Sequence, residues 1–230
     1  MKKIVLLLVL ALVSVSNADS WNFVTEWGYP TQMAPWQYGY GGQNDISEFI
    51  SFAYAGTSPE GNPFWGPDGN APNVGPIMWR NDTMAGGWYS IQLGEVAMHT
   101  GSAYYLGEWE DITVRWTAPA TITQSAVNLD GMLSKGAGGE REFWVVKNAG
   151  QASEQVLFHQ PSVVGDISFN VDNVGVVAIA AGDTIDFVQG AGAEFGSENS
   201  PFDVTITEVP EPATMALLSM GALALLRKRK

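Results

Sequence analysis

DITVRWT (111–117) and FDVTIT (202–207) decide the fold. In the first, Ile112, Val114 and Trp116 share one face and Thr113, Arg115 and Thr117 share the other. In the second, Phe202, Val204 and Ile206 fall on one face. Alternation with period two is the pattern of a strand with one face in the core. Short β-branched segments of this kind fill the chain from residue 88 onward: WYSIQLGEVAMH (88–99), TITQSAVNL (121–129), REFWVVK (141–147), QVLFHQ (155–160), DISFNV (166–171), VGVVAIA (174–180) and DTIDFVQ (183–189). Gly, Pro, Asn or Asp bounds each one, and no stretch between the two ends holds a helical period. Strands at this spacing predict an all-β antiparallel sandwich or barrel.

Upstream the text is aromatic and less regular. A first strand is expected within Trp21–Trp27, with Trp21, Phe23 and Thr25 on one face. WQYGYGG (36–42) alternates until its glycines are expected to stop it, and a strand is expected within Ile46–Tyr54. Residues 56–76 carry so many Pro and Gly that they read as a loop, the least ordered part of the domain.

Both ends carry export features. Met1-Lys2-Lys3, the apolar run Ile4–Val15 and Ser16-Asn17-Ala18 form a signal peptide over residues 1–18, with cleavage between Ala18 and Asp19. At the other end, residues 209–230 place Pro210-Glu211-Pro212 before an uncharged run, Ala213–Leu226, and a basic cluster, Arg227–Lys230. Prolines keep the triplet extended, and the cations hold the cytoplasmic side of a membrane segment. At ~1.5 Å per residue the run spans roughly 21 Å, short of a hydrocarbon core of roughly 30 Å, so it suits transient anchoring.

This tail resembles the PEP-CTERM sorting signal. The resemblance implies export, a short C-terminal transmembrane sorting helix, transient inner-membrane anchoring, and recognition of Pro210, Glu211 and Pro212 by an exosortase-type protease. It also implies a link to extracellular polysaccharide and biofilm matrix. The span between the ends, residues 19–208, resembles a secreted domain of planctomycete-type PEP-CTERM proteins at WQYG (36–39), His99 and Gly101, VRWTAP (114–119) and AGDTIDFV (181–188). That resemblance implies a jelly-roll-like antiparallel β-sandwich.

Six of the 11 basic residues and one of the 24 acids lie outside 19–208, so the domain carries a formal charge of −18. Such a surface repels nucleic acid and anionic lipid. Without cysteine there is no disulfide, no thiolate metal site and no thiol nucleophile. No G-x-S-x-G elbow or H-E-x-x-H pair occurs. GAGAEFG (190–196) has no helix pattern after it to form a phosphate cradle.

Candidate sites follow from what remains. Aromatic rings stack on sugars, and Trp36, Tyr38, Tyr40, Trp65, Trp79 and Trp88 are the candidates for extracellular polysaccharide; Trp116 and Trp144 read as core. Asp68 and Asn70, spaced around Gly69, are the candidate ligands for a structural calcium, with Asn44-Asp45 and Asn81-Asp82 as similar fragments. Glu108/Glu110 and Glu140/Glu142 put paired carboxylates on one strand face, as a glycosidase would need, although such pairs usually mark a solvated face. His99 reads as a turn residue. The expectation is a non-enzymatic, exported surface or matrix protein that binds carbohydrate. A lyase or glycosidase on the same scaffold and a self-associating structural subunit are the alternatives.

Overall fold

The computed structural model describes residues 18–43, 45–69, 75–83, 91–101, 110–136, 139–190 and 199–210. Among them the chain forms only strands, and the strands form two antiparallel sheets that face each other as a sandwich. The smaller sheet holds six: β2 (Trp36–Gly42), β3 (Ile50–Ser51), β8 (Glu110–Thr117), β10 (Arg141–Lys147), β11 (Gln155–Val163) and β14 (Thr184–Gly190), in the order β11-β10-β14-β8-β2-β3. The larger sheet holds β4 (Tyr54–Thr57), β5 (Pro63–Gly66), β6 (Ile77–Arg80), β7 (Val96–His99), β9 (Ala126–Leu133), β12 (Ile167–Phe169) and β15 (Ser200–Glu208), in the order β12-β9-β15-β7-β6-β5-β4. In addition, β1 (Ser20–Asn22) pairs with β15, and β13 (Val177–Ala178) pairs with β9.

The alternation places the core where the sequence predicts it. Ile112, Val114 and Trp116 face Phe202, Val204 and Ile206 across one apolar cluster, and Phe143, Phe169, Phe187 and Phe202 pack ring against ring inside it. The smaller sheet is also covered outside. Trp144, Val146 and Val188 form a second apolar patch with Ala149 and Ile46, and Arg115 lies 4.0 Å above the Phe49 ring while its Nε and Nη2 donate to the two carboxylate oxygens of Asp186 (2.7 and 2.6 Å). This explains why β14 is buried along its whole length.

The glycines of WQYGYGG end β2 at Gly42, after it has run through Gly39 and Gly41; three other expectations are corrected. A Cβ at Gly39 would stand 2.5 Å from the Ile50 carbonyl oxygen, and one at Gly41 would stand 2.7 Å from that of Glu48. Glycine there lets the covering segment approach the strand. Residues 56–76 are not one loop. They include β5, buried throughout, with Pro63 at the strand start where a missing N–H costs nothing. Gly56 leaves room for the Phe64 ring, which a Cβ would meet at 2.7 Å. The strand expected within 21–27 ends at Asn22, whose Oδ1 accepts the Thr25 N–H (2.9 Å) and turns the chain. The span 46–54 yields only β3 and the first residue of β4. The expected sorting helix lies outside the described residues.

Candidate functional site

Four of the predicted sugar-stacking rings are in the core. Trp36 and Tyr38 are fully buried, Trp65 is 5 % exposed and Trp79 3 % exposed. Each has its polar atom satisfied inside. Trp36 Nε1 donates to Glu26 Oε2, Trp65 Nε1 to the Gly28 carbonyl and Trp79 Nε1 to Asn199 Oδ1, all at 2.8 Å. The Tyr38 hydroxyl oxygen accepts the Gly28 N–H (3.1 Å), and burial pushes its pKa up to about 12. Tyr40 is half-buried, stacked on Phe52 at 5.6 Å. The physical reason is the strand period: positions 36, 38 and 40 share the inward face of β2, and an indole or phenol is worth more inside than out. Trp88 lies outside the described residues.

The other candidates scatter. Asp68 is exposed, and Asn70 and Asn44 lie outside the described residues. Among the described residues no three His, Asp or Glu side chains converge as a metal site would require. Glu108 lies outside as well, and Glu110 is buried at the start of β8. Glu140 accepts the Ser162 hydroxyl and Glu142 contacts His159 Nε2, both at 2.6 Å, so this pair braces β11. His99 ends strand β7 rather than sitting in a turn, and burial lowers its pKa.

One end of the sandwich forms a groove of about 790 Å³ that joins the two sheets. Trp21, Gln32, Ala34, Pro35, Trp36 and Gln37 line one side, and Thr117–Thr121 line the other. Trp21 is the one tryptophan among the described residues that is not buried. It leans on Trp116 with centroids 5.2 Å apart and planes at 55°, which fixes the indole without hiding it. Gln32 is committed to the fold. Its Oε1 accepts the Tyr38 N–H (2.9 Å), and its Nε2 donates to the Phe52 and Tyr38 carbonyls (3.2 and 3.3 Å). Gln37 faces solvent. No lining side chain is ionisable, in a domain of strongly negative charge. The sequence puts Trp21 on one strand face with Phe23 and does not single it out as a site. The usable signal was its position: a ring on the first short strand has chain on only one side of it.

The same end gathers both predicted processing points. Ser20 pairs with Thr207 across β1 and β15, and the Glu208 N–H donates to the Asp19 carbonyl (2.9 Å). Glu208 is 2 % exposed. It accepts N–H groups from Thr123 (2.7 Å), Gln124 (3.3 Å) and Asp19 (3.2 Å), and the Thr123 hydroxyl (3.1 Å). Burial works to raise its pKa, but these donors outweigh burial and hold it below the usual carboxylate range. Pro210 is exposed just beyond, and Glu211 and Pro212 lie outside the described residues.

No curated protein matches the chain. Among solved structures, partial likenesses include murine APRIL (11 % identity, 76 % of this chain and 99 % of that one, TM-score 0.28). A second is the K1 cleaved adhesin domain of Lys-gingipain from Porphyromonas gingivalis W83 (10 %, 84 % and 96 %, 0.28). A third is a family 11 carbohydrate-binding module from Clostridium thermocellum in complex with a β-1,3-1,4-mixed-linked tetrasaccharide (10 %, 85 % and 89 %, 0.25). Overlaps of this size say nothing of what this chain binds. The family description that matches does so at residues 208–230, directly after the last strand. The chain carries a PEP-CTERM protein-sorting motif, which implies a secreted protein with a transiently membrane-anchored C-terminus, processed by an exosortase-type system.

Proposed function

We propose that this is an exported, non-enzymatic surface protein whose sandwich holds a neutral glycan strand in the Trp21 groove. The observation behind this reading is the groove's lining: one fixed, accessible indole, one exposed amide and no charge. Indole faces stack on the C–H faces of sugar rings, amides pair with hydroxyls, and an uncharged trough suits a neutral polymer rather than a charged one. Signal cleavage at Ala18–Asp19 and recognition at Pro210-Glu211-Pro212 deliver the domain to the cell surface or matrix. Strand addition between copies is the weaker reading. The long edge strand β11 carries Pro161, which cannot donate to a further strand.

The test is retention of the purified protein on a panel of neutral and anionic polysaccharides. Binding to a neutral polymer that weakens about tenfold in Trp21→Ala and less in Gln37→Ala supports the groove. A folded protein retained by none of the panel overturns the glycan reading and leaves a surface protein without that ligand. Pro210→Ala together with Pro212→Ala is expected to accumulate unprocessed chain in the inner-membrane fraction.

A further inference from the structure

We infer that Glu208 is the binding site for the chain's own processed N-terminus, the α-ammonium freed at Asp19. The inference rests on cleavage after Ala18 and is independent of the glycan reading. Hydrolysis of the Ala18–Asp19 bond places the hydroxyl of water on the Ala18 carbonyl carbon and a hydrogen on the Asp19 nitrogen. At neutral pH that amine takes a further proton from solvent and becomes a cation. Before cleavage the same nitrogen is an amide that donates one hydrogen bond to Glu208 Oε2 at 3.2 Å. After cleavage it is an ammonium with three protons and a full charge, on the same carboxylate.

The carboxylate is built to receive it. Glu208 is buried at the end of β15, and its donors from Thr123 and Gln124 come from the segment that joins the two sheets. The nitrogen cannot drift away, because Ser20 and Trp21 are held in register with Thr207 and Ile206, and the Asp19 carbonyl accepts the Glu208 N–H. A charge-assisted hydrogen bond is roughly twice as strong as a neutral one. The ionisable groups on the elements packed here are few. Asp19 brings its own carboxyl. Asp130 and Asp203 lie further along β9 and β15. Lys147 reaches the Ala178 carbonyl of β13 (2.8 Å) and is paired with Asp183 (3.0 Å). The acids reinforce the ammonium, and Lys147 is already engaged. N-terminal processing therefore adds a bond at the residue where the sorting tail leaves the domain, and one carboxylate joins the first strand of the mature chain to the last.

The test uses the full chain exported from a Gram-negative host. Mass spectrometry identifies the mature N-terminus, and NMR of the Asp19 nitrogen and Cα shifts against pH in isotopically labelled protein gives the α-amine's pKa. The expected result is a chain beginning at Asp19 whose amine titrates roughly one unit or more above the ordinary ~7.7–8.0. Glu208→Gln is expected to return it to that range, and Glu208→Asp to give an intermediate value. An N-terminus other than Asp19, or an amine of ordinary pKa in the unmodified protein, overturns the inference. That last reading needs no variant, so it stands even if Glu208→Gln fails to fold.

Discussion

The two ends of this sandwich use polar residues in opposite ways. At the tail end the groove is lined by uncharged side chains, and a buried acid, Glu208, is wrapped in N–H and O–H donors. At the other end, where β7, β9 and β14 finish, Glu110, Asp111, Arg141, Gln189 and Ser200 are all buried close to one another along the strand ends. There Arg141 bridges the sheets. From β10 its guanidinium donates to the Ser134 carbonyl beyond β9, to Ser200 Oγ on β15 (2.7 Å) and to the Gly165 carbonyl. One end closes the sandwich with a buried polar bridge, and the other closes it with a Trp21–Trp116 contact that leaves an indole accessible. Closure by buried polar groups is rigid and intolerant of change. Closure by a leaning ring leaves a surface that a ligand can use.

The difference is expected to be largest under substitution of Arg141. Arg141→Ala opens a cavity and strands two carbonyls and a hydroxyl without their donor. We expect a loss of about 3–5 kcal/mol in denaturant unfolding. A loss under about 1 kcal/mol would mean that the far end is not closed by this bridge. Trp21→Ala at the tail end should cost less, about 2 kcal/mol, since only part of the indole is buried. Its larger signature is in polysaccharide retention. If Trp21→Ala destabilises as much as Arg141→Ala, the two ends are alike and the groove is simply core.

The contrast was half legible in the sequence. Period-two alternation reported β8, β10, β14 and β15, because a one-residue slip would turn an apolar face to water. It also held the answer for Trp36, Tyr38 and Tyr40, which share a parity and hence a face, although the interleaved glycines blur the alternation. Those glycines record the close approach of neighbouring chain, Glu48 and the paired strand β3 at Ile50, and local sequence does not report what approaches a strand. β5 was hidden for a related reason: Pro63 and Gly66 punctuate a strand whose pairing partners lie at residues 54–57 and 78–79. The groove was illegible because it is made where 21, 32–37 and 117–121 meet, and no local pattern links them. The meeting of Asp19 with Glu208 spans nearly the whole domain, so only topology could reveal it.

Glu208→Gln sharpens the tail end at a smaller scale. The Glu208 carboxyl is held below its ordinary range in the folded state. A depressed carboxyl pKa contributes stability that is present above the unfolded value of ~4.3 and is lost as pH falls through the folded value. With the ammonium docked, the amine's raised pKa contributes stability that is present below ~7.7 and is lost as pH rises through its folded value. The gap between the unmodified protein and Glu208→Gln should therefore be widest between the two, about 1–2 kcal/mol near pH 6. It should narrow on both sides. A gap that closes only on the acid side would leave the carboxylate to its N–H donors alone.

A substitution midway along the smaller sheet sets the scale for both ends. His159 on β11 lies flat over Trp144 of β10, with ring planes 2° apart and centroids at 5.2 Å, and touches Glu142 at 2.6 Å. This imidazole covers part of Trp144, which also belongs to the outer patch with Val146, Ala149 and Val188. His159→Ala should uncover part of the indole, move its fluorescence to longer wavelength and cost about 0.5–1 kcal/mol, the range of an aromatic pair beyond its area. This value is what one exposed contact is worth between two residues in direct register, Trp144 opposite His159. If Trp21→Ala costs no more than His159→Ala, then Trp21 contributes no more to closing the tail end than a side chain lying on the sheet. Its position against Trp116 would then be best explained by what it presents to the groove.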